Sequence, residues 1–128
     1  MTKGTASDHK LVVVVNGDSI IEYDRGRRLP KQQQQYLDQM DRFMDNGITV
    51  GRTTIAEPDP VQRATFVANN LIEALRADNE PVMAAACAYL AVRLPDLKQV
   101  KAEERGEQTT VELVFDKPYK PEVKVKLT

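Results

Sequence analysis

The chain has 128 residues and a mass of 14.4 kDa, and its 18 Lys and Arg nearly balance 19 Asp and Glu, for a formal charge of -1. That length suits one domain, and 41% hydrophobic residues suffice for a single core without disulfide or metal support. The balanced charge argues against a broad nucleic-acid or membrane footprint, which shows as basic excess, and a single cysteine excludes an internal disulfide and points to a reducing compartment.

The first ten residues are polar, lack the apolar core of a secretory signal and read as a mobile tail, leaving 11–128 as one domain. Leu11–Val15 is a β-branched run of the kind a strand buries on both faces. Asn16-Gly17 follows it and precedes Ser19–Tyr23, a strong hairpin signal, since a type I′ turn needs positive φ at both central positions.

Pro30 suits the first position of a helix, and Tyr36, Leu37, Met40, Phe43 and Met44 recur with helical spacing within about 120° of one another. They are expected to form the buried stripe, with Asp38, Asp41, Arg42 and Asp45 on a solvated opposite side. Asn46-Gly47 is a fitting stop, and residues 48–55 read either as a short strand or as an ordered loop.

The second helix has the clearest start: Asp59 as cap, Pro60 at the first position and Gln62 where a capping box wants Glu or Gln. Val61, Ala64, Val67, Ala68, Leu71, Ile72 and Leu75 make its apolar face as far as about Ala77. Phe66 projects away from that face, so it either packs under a separate element or is exposed, and it is the candidate interface residue.

A third helix runs from Glu80-Pro81 to about Arg93. Its Val82–Val92 stretch has 11 consecutive apolar residues, too short to span a bilayer but apolar on every side. The expectation is a central rod enclosed all round. Strands are expected at 97–103 and 109–115, joined by a short Gly-containing turn, and at 122–127, where Val123, Val125 and Leu127 alternate with Glu122, Lys124 and Lys126. The resulting fold is α+β, in the order β-β-α-(β)-α-α-β-β-β. It consists of an antiparallel sheet, built from the N-terminal hairpin and a C-terminal three-stranded meander, with three helices packed on one face.

Few residues offer chemistry. His9, the only histidine, lies in the tail, where no reacting group is held still enough for catalysis. Cys87 sits mid-helix between alanines and reads as a buried structural thiol. Gly47–Thr54 fails as a phosphate loop in its glycine spacing, in Arg52 where a Lys belongs, and in following a helix. No catalytic residue, metal ligand or cofactor is therefore expected.

Arg25, Arg27, Arg28 and Lys31 form the one local cationic cluster, at a helix N-terminus where backbone N–H groups already favour anions. The reading that follows is a small, soluble, cytoplasmic domain that works by binding another macromolecule, a protein partner or a second copy of itself, without membrane contact. Nucleic acid is a poor fit, because base-stacking aromatics are scarce: there is no Trp. The alternative is a small-ligand or phosphate site using Arg25–Arg28 and Arg52 with weak enzymatic activity, which requires residues 23–31 and 47–55 to share a pocket.

Overall fold

The computed structural model describes residues 10–26 and 28–119, so the expected strand at 122–127 and the tail around His9 lie outside the described residues. The chain forms β1 (Lys10–Val15), β2 (Asp18–Asp24), α1 (Lys31–Asp45), β3 (Ile48–Val50), β4 (Thr53–Ile55), α2 (Pro60–Ala77), α3 (Glu80–Arg93), β5 (Gln99–Arg105) and β6 (Gln108–Val114). The class is α+β: three helices, a four-stranded sheet in the order β2-β1-β5-β6, and a separate β3-β4 hairpin.

The sheet is mixed, which corrects the all-antiparallel expectation. β1 pairs antiparallel with β2 but parallel with β5, Val13 lying opposite Val100. The reason is the long helical excursion between β2 and β5, which lets the chain re-enter the sheet in the direction of β1, as a two-residue hairpin cannot. β1 carries the signature of that central position. Leu11 and Val13 bury into the helical layer, while Val12 and Val14 are buried on the opposite face.

Each turn has its local cause. Asn16 and Gly17 both take positive φ, and the Asn16 side chain also accepts the Glu104 amide, tying the first hairpin to β5. Gly106 takes positive φ in the β5–β6 turn. At the start of α2, the Asp59 carboxylate accepts the Gln62 amide at 2.7 Å and the Gln62 side chain accepts the Asp59 amide at 2.9 Å, completing the capping box. The undecided segment 48–55 is a small antiparallel hairpin, β3-β4, packed on α2.

One core cluster joins Leu11, Val13, Val100 and Ala102 of the sheet to the apolar faces of α2 and α3 and to Leu37 and Met44 of α1. α3 departs from the enclosed rod expected of it. Ala86–Ala91 is buried, but Val92 is 45% exposed and Val82 and Ala84 also reach the surface. Its residues are apolar all round, yet only one side is covered by α2 and the sheet. α1 lies more loosely against the other side.

Candidate functional site

The position of α1 decides what the molecule shows to its surroundings. Five apolar residues span too wide an arc to be buried by one neighbour, and the inward positions are Leu37, Met40, Asp41 and Met44, at i, i+3, i+4 and i+7. Asp41 belongs to this inner set because three donors converge on it. The Tyr89 hydroxyl donates to its Oδ1, the Arg93 Nε to its Oδ2 at 2.9 Å, and an Arg63 guanidinium nitrogen to Oδ1 at 3.2 Å.

Arg63 also pairs with Asp45, and Arg93 with Asp38, so α1 is pinned to α2 and α3 by one polar cluster. Burial alone would push the Asp41 carboxyl up. The hydrogen bonds from Tyr89, Arg93 and Arg63, with the charge of Arg93, outweigh it and hold the carboxyl below its ordinary value. The acidic side of this helix is therefore not a plain solvated face. Asp41 is a structural tie, and among the described residues no group of three His, Cys, Asp or Glu is placed to hold a metal ion.

Turning Asp41 inward leaves Tyr36 and Phe43 outside the core. They stand seven residues apart on one side of α1 and are 48% and 66% exposed. Between α1 and α2, above α3, lies an apolar hollow of about 440 Å³. Tyr36, Met40 and Phe43 wall it from α1, Phe66 and Val67 from α2, and Val82 and Ala85 close the floor from α3. A second hollow of about 570 Å³ continues along α3 toward Pro81 and Ala88, and shares Tyr36, Val82 and Ala85 with the first. No residue lining either hollow carries a charge; their polar members are the Tyr36 phenol and the amides Gln32, Gln33, Gln39 and Asn70.

Phe66, the interface candidate read from the sequence, is half-buried in the wall of the first hollow and packs against the core cluster. Helical spacing alone places Tyr36 and Phe43 in the core stripe of the first helix, whereas both are exposed. The signal that marks them is the neutral flank beside them. Gln32, Tyr36, Gln39, Met40 and Phe43 form a stripe along α1 with no charge in it, wider than one contact can bury.

Among the described residues, the cationic candidates sit in different surroundings. Arg25 is drawn inward to the end of α3, where its guanidinium donates to the carbonyls of Ala91 at 3.1 Å and Pro95 at 2.9 Å and to those of Leu94 and Leu97. Ala91 belongs to the last turn of α3, whose carbonyls have no partner within the helix, and the other three belong to the segment that follows it; burial lowers the pKa of the guanidinium. Arg28 and Tyr23 border a hollow of about 270 Å³ whose remaining walls are Leu29, Pro30, Gln33, Ala84 and Ala88, with no residue of 47–55. Lys31 is exposed in the first turn of α1, Arg52 is exposed in the β3–β4 turn, and Arg27 lies outside the described residues.

Cys87 is buried, and burial pushes its thiol up to about 12. Among the described residues no helix is long and apolar enough to cross a membrane. Comparisons with protein families, curated proteins and solved structures find no match to this chain.

Proposed function

We propose that this protein is an interaction module that takes the apolar face of a helix from a protein partner into the groove over α3, between α1 and α2. The observation that carries this reading is the pairing of a formed apolar groove with two aromatic side chains at its lip, Tyr36 with about half and Phe43 with about two thirds of its surface in water. Scattered surface apolar residues need no explanation, but a contiguous patch centred on aromatics is the composition that anchors protein contacts. A groove floored by alanines suits a helix, because small residues admit a backbone closely while longer anchors fill the hollows at i, i+3, i+4 and i+7. The engagement of Arg25 with the carbonyls of Ala91 and Pro95 counts against the alternative anion site, which needs that guanidinium free, and the shielding of Cys87 keeps its thiol from ligands.

The test is panning a library of helical peptides against the protein. Enriched sequences should carry apolar residues at helical spacing and lose at least tenfold in affinity for Phe43→Glu and for Val82→Glu, with the unfolding midpoints of both variants unchanged. Selected peptides that bind wild type and both variants alike would end the proposal.

A further inference from the structure

The occupant of the groove can be named from the face itself. Resting on the reading of the groove as a helix-binding site, we propose that the helix it takes is α1 of a second copy of this chain, packed antiparallel about a two-fold axis beside Gln39 and Met40.

Two properties point to self-association. The first is charge. A two-fold interface sets each patch against itself, so any charge near the axis meets its own like. The stripe Gln32, Tyr36, Gln39, Met40 and Phe43 is uncharged, while the charges of the same helix, Lys31, Asp38, Asp41, Arg42 and Asp45, lie at helical positions on its other sides. Both hollows are likewise lined by uncharged residues. A partner with a basic or acidic helix would find nothing here to pair with, whereas a second copy meets no repulsion.

The second property is shape. A face that binds itself must carry both a projection and a hollow, offset from the axis. Phe43 is the projection, at 66% exposure. The hollow lies around Tyr36, Val82 and Ala85, which border both cavities. Position 39 or 40 is midway between 36 and 43, so an antiparallel pairing about that point brings Phe43 of each copy over Tyr36 of the other and into that hollow. Gln39 then meets Gln39 across the axis, where two amides can bond each other.

Sedimentation equilibrium over roughly 1–300 µM tests this on the full chain, in the range where an interface of modest size associates. Wild type should reach twice its 14.4 kDa mass. Phe43→Glu and Tyr36→Lys should each raise the dissociation constant at least a hundredfold. Together they should restore much of the dimer, because the antiparallel arrangement sets 43 against 36. Under mild oxidation Gln39→Cys should cross-link to itself, and Asp38→Cys, on another side of α1, should not.

A wild-type protein that stays at monomer mass throughout would overturn the inference. So would a dimer that survives Phe43→Glu. If the chain is monomeric yet selected helical peptides still bind at Phe43, only the choice of occupant fails. If both measurements are negative, the groove itself is no binding site.

Discussion

Asp41→Ala is the substitution on which the account of α1 stands or falls. Tyr89 is 2% exposed and its hydroxyl donates to Asp41, so the change strands a buried hydroxyl, at about 1–3 kcal/mol. Arg63 and Arg93 are half-buried and each keeps a second acid, Asp45 or Asp38, so each lost pairing adds only about 0.5 kcal/mol. The expected loss is about 2–4 kcal/mol, a large part of the roughly 5–15 kcal/mol that holds a domain folded. Urea unfolding followed by far-UV circular dichroism, suited to a chain without Trp, should show the midpoint falling by about 1–2 M.

Asp38→Ala is the control. Its side chain is 58% exposed with one ion pair, so it should cost under about 0.5 kcal/mol. Equal effects of the two substitutions, or an Asp41→Ala midpoint within error of wild type, would refute the idea that this carboxylate holds α1 in place.

The same group sets an acid limb. Its folded carboxyl lies below the ordinary value, so its stabilisation is complete above the unfolded pKa, about 3.9, and is lost as pH falls through the folded one. Asp41→Asn should flatten the fall of Tm in that range.

Two further expectations concern Arg25, which is half-buried, and Cys87, which is buried. Arg25→Ala removes the donors at the end of α3 and should cost about 2 kcal/mol in urea unfolding, with faster amide exchange around 94–97. Arg25→Lys should recover less than half of the loss, because one ammonium cannot fan out to several carbonyls as a guanidinium does. A thiol reagent at about pH 8 should label Cys87 only as fast as the protein opens, accelerating with urea; labelling of the native protein within seconds would contradict its burial.

How legible the molecule is from its residues varies by element, and the variation has a physical pattern. The first hairpin and the capping box of α2 depend on neighbours one to four positions apart, so Asn16-Gly17 and Asp59-Pro60-Val-Gln62 read directly. The β5–β6 pair lies close to the expected place, although β5 starts at Gln99 and Phe115 falls beyond β6 and is exposed. The parallel pairing of β1 with β5 was not legible. Val12 and Val14 require a neighbour on each side and a covered face, but not a direction.

The Arg25–Arg28 cluster looks continuous along the chain. Arg25 nonetheless leaves it, because carbonyls some seventy residues away at the end of α3 make a better site for its guanidinium than bulk water.

The amino-acid sequence by itself determined the three helices, the first hairpin and the β5–β6 pair, since these follow from local sterics, hydrogen bonding and periodicity, whereas it left 48–55 open between strand and loop. The tertiary structure alone decided which part of an apolar arc is buried. Donors from Arg63, Tyr89 and Arg93 meet at Asp41 only once α2 and α3 have packed, and they rotate α1 so that Leu37 and Met44 go in while Tyr36 and Phe43 stay out. The face that we read as the working surface of the protein is what that rotation leaves uncovered.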